Sequence, residues 1–447
     1  MRTQKSGVPG SNPGQPPGLS VCLNRRIHRG MTLIQGIISC FSRKRAVSVF
    51  LSVLVCLAGL TGCGADGSSD STAGSDGTVS DLPEAEDGAE DADSAADTGE
   101  EVTEESDSVT KYSYYFDTIV SITVYGINYR TYAAYAGEGA ESTFADAADD
   151  VISDAFSLCV YYENILSRTV EGSDVWNVNH AGGEAVVCDD ETIQVVKLGI
   201  EYGDLSGGRF DITIGPVSDL WNFDGTDATQ EALPDGEDLA EALSHVDYQT
   251  VVVDEESSTI RLLDADAMID LGGIAKGYIA DRVCELLREE GVTGAIVSLG
   301  GNIACVGGKP VEYYGFVADD ASYKNFTIGI ESPYSDMTSI VGSSQVYDGT
   351  MVTSGIYERY ITVDDVQYHH ILDVDTGYPV ESDVVGVTLL GPSGTSVDCD
   401  ALATICLILG SEEGFALIEE QEGLEAAFIL SDDSILLTDG MDFTASE

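Results

Sequence analysis

Apolar positions follow two different periods along residues 111–447, so both helices and strands are expected there. Helical spacing predicts helices over 145–166, 189–208, 275–290, 400–409 and 412–420. Alternation predicts a strand over 114–126, two strands separated by a glycine pair over 294–308, and hairpins over 250–263, 354–374 and 426–440. The polar segment 224–240 is predicted to be a loop. Because hairpins and helices are mixed without a repeated strand–helix–strand alternation, we expect an α+β fold.

The first 62 residues have the pattern of an export signal. A basic stretch from Arg43 to Arg45 precedes an apolar run, and small residues follow up to Cys63. The run is short for a membrane-spanning helix, and the tetrapeptide Leu60–Cys63 resembles a bacterial lipobox. We therefore expect residues 1–62 to be removed and a lipid on Cys63 to hold the protein at the extracytoplasmic face of the cell membrane. An ordinary membrane anchor is the alternative, and Met31 would begin a signal of more usual length.

Residues 63–110 are expected to form a disordered, acidic linker. Between residues 64 and 110 there are sixteen Asp or Glu residues and no Lys or Arg. Such a segment buries too little apolar surface to fold and is extended by charge repulsion. We interpret it as a tether between the membrane and one folded domain over 111–447; an acidic tail that binds a partner is the alternative.

Charge and cysteine content narrow the function classes. The formal net charge of −58 argues against nucleic-acid binding, which needs clustered cations. An anionic substrate would instead need something to neutralise it, for which a divalent cation is the obvious candidate. The cysteines of the folded part have no CxxC spacing, which excludes a zinc ribbon or a thioredoxin-like motif, and we expect most of them to be buried.

The segment DLGGIAKGY could bring bare backbone close to a ligand. Asp270 could accept hydrogen bonds from a ligand, while Gly272 and Gly273 carry no side chain. Lys276 falls in the first turn of a predicted helix, where its charge opposes the helix dipole, so a nearby anion would explain it. A lysine that simply faces solvent is the alternative.

Two further segments carry residues suited to binding or proton transfer. In GGRFDITIGP, Arg209 and Asp211 precede a predicted strand and a Gly-Pro turn, and a purely structural strand is the alternative. His369 and His370 are adjacent, so at most one of them can face a given site if the segment is a strand. Either could act as a general base near neutral pH, or could be a structural histidine bonded to backbone.

The segment VDCDALATICLILG offers a possible half-site for Mg²⁺. Asp400 and Thr404 are four residues apart, so they share one face of the predicted helix. A carboxylate and a hydroxyl are the oxygen ligands that Mg²⁺ prefers. The alternative is a carboxylate that only stabilises a helix N-terminus.

In their order along the chain, these segments resemble the ApbE family of FAD:protein FMN transferases. The matching motifs are DT at 117–118, LSR at 166–168 with Ser173 and Asn179 after it, FDITIGP at 210–216, DLGGIAKGY at 270–278, SLGGNI at 298–303, HHILD and TGYP within 369–379, and DALAT at 400–404. The resemblance covers nearly all of residues 111–447. It implies one catalytic domain that cleaves the FAD pyrophosphate with Mg²⁺, attaches FMN through a phosphoester to a Thr or Ser of an exported acceptor protein, and releases AMP.

The resemblance also implies which residues form the site. FAD would be lined by Phe116, Thr169, Arg209, Phe210, Asp211, Asp270 and Lys276, and by Ile371 or Leu372 on the HHILD strand. Many members of the family have Met at the position of Phe116 and an aromatic residue at that of Thr169. Mg²⁺ would bind Asp400, Thr404 and the carbonyl of Gly273. His370 would be the base for the incoming hydroxyl group.

Two other functions use the same motifs. A Mg²⁺-dependent FAD pyrophosphatase would pass FMN to water instead of to a protein. A non-enzymatic FAD-binding lipoprotein would hold the flavin intact, but it would have no need of Asp400, Thr404 and His370.

Overall fold

The computed structural model describes residues 108–137, 143–221, 223, 233–333 and 339–446. The predicted signal segment, Cys63 and almost all of the predicted linker lie outside the described residues. The helices are α1 Tyr129–Ala136, α2 Phe144–Leu166, α3 Asp174–Asn179, α4 Asp190–Leu205, α5 Gly215–Trp221, α6 Gly236–Leu243, α7 Ala275–Glu289 and α8 Ser396–Glu419.

The strands of the described residues are mostly short and antiparallel. They are β1 Val109–Tyr115, β2 Thr118–Asn128, β3 Val186–Val187, β4 Val251–Asp254, β5 Thr259–Leu262, β6 Val292–Leu299, β7 Asn302–Gly307, β8 Lys309–Pro310, β9 Gly315–Val317, β10 Tyr323–Lys324, β11 Phe326–Glu331, β12 Ile340–Val346, β13 Gly349–Gly355, β14 Tyr360–Val363, β15 Val366–His369, β16 Val384–Pro392, β17 Glu425–Leu430, β18 Ile435–Leu437 and β19 Thr444–Ala445.

One large sheet forms the base on which the helices lie. Its strand order is β1-β2-β6-β7-β13-β16-β17-β18, all antiparallel, and β9 adds a parallel pairing to β2. Helices α2, α7 and α8 pack against this sheet, where the main core includes Ile122, Ile279 and Leu402. In a second core, Phe326 of β11 and Met351 of β13 belong to the same cluster. The apolar faces of the sheet are thus covered by helices and by further strands, as an α+β fold requires.

The predicted α+β class is confirmed, together with most of the long elements. The helices predicted over 145–166, 189–208 and 275–290 match α2, α4 and α7 to within three residues at each end. The hairpins predicted over 250–263, 354–374 and 426–440 are the pairs β4–β5, β14–β15 and β17–β18. The cysteines of the folded part are buried, as expected for most of them, and the structure shows them as free thiols.

The single strand predicted over 114–126 is wrong. The chain reverses at Phe116 and Asp117, both with positive φ, and β1 pairs with β2 on either side of them. A two-residue turn leaves a period of two undisturbed, so the alternation of apolar residues runs through the turn without marking it.

The strand predicted within 210–214 is also wrong. Ile214 makes only an isolated bridge to Met268, and Gly215 and Pro216 begin α5 instead of forming a turn. Proline suits the first turn of a helix because it has no N–H to leave unpaired there.

Two further boundaries differ from the prediction. The predicted loop 224–240 ends in α6, which Asp235 caps by accepting a hydrogen bond from the Glu237 N–H. The two helices predicted at 400–409 and 412–420 are confirmed as the two parts of α8, which non-helical backbone at Gly410, with φ 80°, interrupts; only the start differs, four residues earlier at Ser396. Capping carboxylates set the starts of the two helices, Asp235 for α6 and Asp281 for α8. A capping residue does not change the period of the apolar residues, so the sequence pattern did not reveal these starts.

Helix α8 is a core helix. Within the described ranges it alone has the length and apolar composition that a membrane span would need. It packs on α7, β13 and β16, and its Cys399, Ala403 and Cys406 side chains are completely buried.

Helices α7 and α8 cap each other through two buried carboxylates. Asp281 of α7 accepts hydrogen bonds from the N–H groups of Ser396 and Val397 at the start of α8, both at 3.1 Å. Asp400 of α8 accepts a hydrogen bond from the Gly277 N–H in the first turn of α7, at 2.9 Å. Neither helix has a side-chain cap from its own N-cap residue. The two helix N-termini are therefore satisfied only when the helices lie together.

Gly277 allows this contact, and we predict that Gly277→Ala weakens it. A Cβ atom there would lie 2.2 Å from the Ser396 carbonyl oxygen and 2.8 Å from the Asp400 Cβ. We expect the free energy of unfolding, measured by urea denaturation, to fall by about 1–3 kcal/mol because the helices must separate. Gly236→Ala is the control, since no atom of the described residues lies within 4 Å of a Cβ in that first helical turn. An unchanged unfolding free energy for Gly277→Ala would show that the helix pair can shift freely.

Candidate active site

The centre of the site is a buried carboxylate that faces a lysine. Asp400 is 2% exposed, and its Oδ1 lies 3.7 Å from the Lys276 Nζ. Burial raises the pKa of Asp400, while the Lys276 charge and the Gly277 N–H oppose this rise. Lys276 also donates a hydrogen bond to the Gly272 carbonyl at 3.1 Å, which folds its side chain back over the glycine turn.

Gly273 and Thr404 lie beside this pair. A Cβ atom on Gly273 would come within 2.9 Å of the Phe210 ring and 3.9 Å of the Thr404 Oγ1, so the glycine fills a narrow gap between them. Thr404 lies one helical turn after Asp400 and donates to its carbonyl at 3.3 Å. The structure thus places Gly273 beside the Thr404 hydroxyl group, one helical turn from Asp400, and the binding of a cation by these residues stays a prediction.

These residues fit a divalent cation of the Mg²⁺ type. All the donor atoms are oxygen, and one carries a negative charge, which is the ligand set of a hard cation. The residues that would hold the cation are Asp400, Thr404 and the Gly273 carbonyl. No sulfur or imidazole group that would favour a softer metal is among them.

His370 contributes a neutral imidazole to the same region. Its Nδ1 lies 3.1 Å from the Arg359 carbonyl oxygen, and because a carbonyl can only accept, Nδ1 carries the proton and Nε2 carries the lone pair. Burial, with the Arg359 and Lys276 charges, lowers the pKa of His370 to about 4, although the residue is only half-buried. The ring is therefore neutral at pH 7 and able to accept a proton.

The two adjacent histidines have separate surroundings. His369 is 7% exposed and lines a cavity of about 530 Å³ together with Ile356 and residues 380–384. Lys276, Asp400 and His370 do not line this cavity, which lies beside the candidate site and does not contain it. As expected, only one histidine of the pair faces the charged centre.

Glu358 is a site residue that the sequence analysis did not single out. It lies in the turn between β13 and β14, and its Oε1 accepts a hydrogen bond from the Gly355 N–H at 3.0 Å. Desolvation and the Asp400 charge raise its pKa, and the Lys276 charge opposes that rise, even though the residue is exposed overall. Its only signal in the sequence is its position beside the HHILD hairpin.

Asp270 is held by an arginine that the sequence analysis used only as part of a motif. Arg168 lies 3.1 Å from Asp270 and 2.7 Å from Asp219, so it bridges the two carboxylates. The Asp270 Oδ1 also accepts the Gly272 N–H at 2.8 Å. Asn179 bonds to both backbone groups of Ile269, at 2.7 and 2.9 Å, which fixes the chain just before Asp270.

The segment around Phe210 is organised by the Asp211 carboxylate. Its Oδ1 accepts hydrogen bonds from the Thr213 backbone and hydroxyl, and its Oδ2 accepts one from the Tyr248 N–H at 2.9 Å. Both oxygens thus serve the local loop. Phe210 is buried against Gly273, whereas Arg209 is exposed.

The remaining predicted FAD residues have mixed positions. Phe116 is half-buried at the β1–β2 turn, and Thr169 is exposed next to Arg168. Ile371 and Leu372 are 7% and 6% exposed and belong to two different core clusters. None of these placements tests a flavin contact, so their assignment to FAD stays a prediction.

Another group of possible metal ligands is accounted for by an ion pair. The His245 Nδ1 lies 2.9 Å from Asp264, and Asp266 donates its N–H to the same carboxylate. The hydrogen bond to Asp264 raises the pKa of His245, as expected for such a pair.

Known proteins share both the sequence and the fold. The ApbE family profile matches residues 116–428. The FAD:protein FMN transferase of Treponema pallidum is 35% identical over 297 residues, which cover 65% of this chain and 80% of that protein. The protein of the same name from Klebsiella pneumoniae is 32% identical over 289 residues, which cover 64% of this chain and 84% of that protein.

Solved structures agree with this assignment. The ApbE protein of Thermotoga maritima superposes with a TM-score of 0.61 at 26% identity, over 74% of this chain and 97% of that one. The flavin transferase ApbE of Vibrio cholerae gives a TM-score of 0.57 at 25% identity, over 74% and 97% of the two chains. With the order of motifs and the grouping of Lys276, Asp400 and His370 on this fold, the chain belongs to the ApbE family.

Proposed function

We propose that this protein transfers FMN from FAD to a Thr or Ser hydroxyl group of an exported acceptor protein and releases AMP, with Mg²⁺ bound at Asp400. The observation that carries the proposal is the convergence of a cation (Lys276), an oxygen ligand set (Asp400 and Thr404) and a neutral base (His370). The names of the relatives supply the substrate and the reaction type.

Charge neutralisation is the first requirement of the reaction. The FAD diphosphate is an anion in a protein with few cations, and Lys276 is held above the glycine turn where such an anion would lie. When bound, Mg²⁺ supplies neutralisation of the diphosphate and of the leaving AMP. The Gly277 N–H and the Lys276 charge favour the charged form of Asp400 and so oppose the burial that raises its pKa.

Proton removal from the acceptor is the second requirement. The lone pair of the His370 Nε2 accepts the hydroxyl proton as the hydroxyl oxygen forms a bond to the FMN phosphorus. The bond from that phosphorus to the oxygen bridging the two phosphates breaks, and the electron pair leaves with AMP. Phosphoryl transfer of this kind depends mainly on positioning and on charge stabilisation, which the rigid helix pair provides.

We predict that Asp400→Asn removes the Mg²⁺-dependent reaction while the protein remains folded. An amide can still accept the Gly277 hydrogen bond, but it lacks the charge that the cation needs. Without the cation the transition state loses several kcal/mol of stabilisation, so we expect the rate of AMP release to fall by roughly 100-fold or more. The assay follows AMP release from FAD, and the intact mass of an acceptor domain for added FMN.

Asp398→Asn is the matched control for that variant. Asp398 lies on the same helix and accepts a hydrogen bond from the Tyr202 hydroxyl group, so it has a structural partner and no place among the proposed ligands. Unchanged turnover by Asp400→Asn would exclude the proposed cation site. AMP with only free FMN from the wild-type protein would favour a pyrophosphatase or a mismatched acceptor, and tight FAD binding without AMP release would indicate a binding protein.

We predict that His370→Gln keeps FAD binding and loses transfer. Removal of a general base lowers such rates by about 10²–10⁴-fold. His369→Gln is the control because that ring faces the neighbouring cavity. In NMR spectra the His370 ring of the wild-type protein should stay neutral as pH falls through 6.5 and protonate only near pH 4. A titration midpoint near 6.5, or wild-type transfer by His370→Gln, would remove it as the base.

We also propose that lipid on Cys63 anchors the domain at the extracytoplasmic face of the membrane, where it meets exported acceptors. The lipobox pattern Leu60–Cys63 supports this proposal, and Cys63 lies outside the described residues. In cells fed a labelled fatty acid, we expect the wild-type protein and the Cys56→Ala control to carry the label. We expect no label on Cys63→Ala. Label retained by Cys63→Ala would exclude this anchor.

A further inference from the structure

A buried side-chain amide beside Asp400 has no hydrogen-bond partner. Asn302 is 1% exposed, and within the described part of the chain neither its Oδ1 nor its Nδ2 makes a hydrogen bond of normal geometry. Buried polar groups of native proteins are almost always paired, so an unpaired amide at this depth needs a specific reason.

The backbone fixes where this amide lies. Asn302 begins β7 directly after the Gly300–Gly301 turn and pairs with Leu299 on one side and Val352 on the other. Gly300, with φ 50°, packs so closely on Thr118 that a Cβ would lie 2.5 Å from its hydroxyl oxygen. The amide therefore cannot move away by a shift of its own turn.

The amide faces the candidate site. Its contact with the Asp400 carboxyl group favours the charged form of that group, but the two groups make no hydrogen bond that meets both the normal distance and the normal angle. A buried, unpaired amide next to a candidate cation ligand is placed to form a hydrogen bond to that ligand when a cation is bound.

Only one of the two Asp400 carboxylate oxygens has a close hydrogen-bond donor among the contacts described above. Its Oδ2 accepts the Gly277 N–H at 2.9 Å, whereas its Oδ1 faces Lys276 only at 3.7 Å, beyond hydrogen-bond distance. A bound diphosphate would compete for the Lys276 ammonium group. The carboxylate would then depend on a second, uncharged donor to hold its orientation toward a cation.

We propose that Asn302 is a positioning residue for the cation site, and that its Nδ2 donates a hydrogen bond to Asp400 when a divalent cation is bound. This inference rests on the proposed cation site. It assigns the unpaired amide a donor role and leaves direct binding of the cation to Asp400, Thr404 and the Gly273 carbonyl.

Mn²⁺ binding by the full-length protein tests the inference without turnover. The loss of free Mn²⁺ signal in electron paramagnetic resonance gives the dissociation constant for the wild type, Asn302→Leu and Asn302→Asp. We expect both variants to bind Mn²⁺ about 10–100-fold more weakly, as for other groups that orient a metal ligand. We also expect Asn302→Leu to raise the melting temperature of the metal-free protein by about 2–4 °C, because it removes an unpaired buried amide.

The opposite signs of these two effects separate a positioning role from a structural one. An asparagine needed only for folding would lower the melting temperature when replaced and would leave Mn²⁺ affinity unchanged, which would overturn the inference. Mn²⁺ binding by Asn302→Leu as tight as in the wild type would also overturn it, since a leucine side chain cannot donate a hydrogen bond. Asn302→Ala needs no additional space and replaces Asn302→Leu if the latter does not fold.

The reference variant Asp400→Asn separates this inference from the proposed function. Wild-type protein that binds no Mn²⁺, or binds it equally well without the Asp400 carboxylate, would overturn the cation site itself and the inference with it. Mn²⁺ binding that depends on Asp400 but not on Asn302 would overturn the inference alone.

Discussion

The candidate site depends on one contact, the reciprocal capping of α7 and α8 by Asp400 and Asp281. A helix N-terminus has N–H groups that need acceptors, and each of these helices takes its acceptor from the other. Both carboxylates are buried, so breaking the contact would leave a charge and unpaired N–H groups inside the protein. The helix pair is thus held in one arrangement, and Gly277 is the residue that lets the backbones approach.

This arrangement determines where the chemistry takes place. The first turn of α7 carries Lys276, and the facing turn of α8 carries Asp400 and Thr404, so one helix contact places a cation opposite a set of oxygen ligands. The same Asp400 carboxylate is both a structural cap and the proposed cation ligand. A structural role of this kind pre-orients the group, because the helix N–H holds one oxygen while the other remains available.

Elements far apart in sequence complete the site from the sheet side. The turn before β7 delivers Asn302, and the β13–β14 turn and the end of β15 deliver Glu358 and His370. His370 is fixed by the Arg359 carbonyl and Asp270 by Arg168, so the site residues are held by neighbours instead of reaching freely into solvent. In a chain with net charge −58, Lys276 and Arg168 are cations that lie beside the candidate-site carboxylates Asp400 and Asp270.

The sequence alone determined the α+β class, the long helices, the hairpins and the family, because apolar periods and an ordered set of short motifs are local properties. It also placed Asp400 and Thr404 on one helix face, since residues four apart share a face in any α-helix. Only the tertiary structure showed that Asp400 caps α7, that Asp211 accepts a hydrogen bond from the Tyr248 N–H, and that the Asn302 side chain is buried with no hydrogen bond to another described residue. The Asp400–Gly277 and Asp211–Tyr248 hydrogen bonds join residues 123 and 37 positions apart, and the period of a sequence carries no information about which distant backbone N–H a carboxylate will meet.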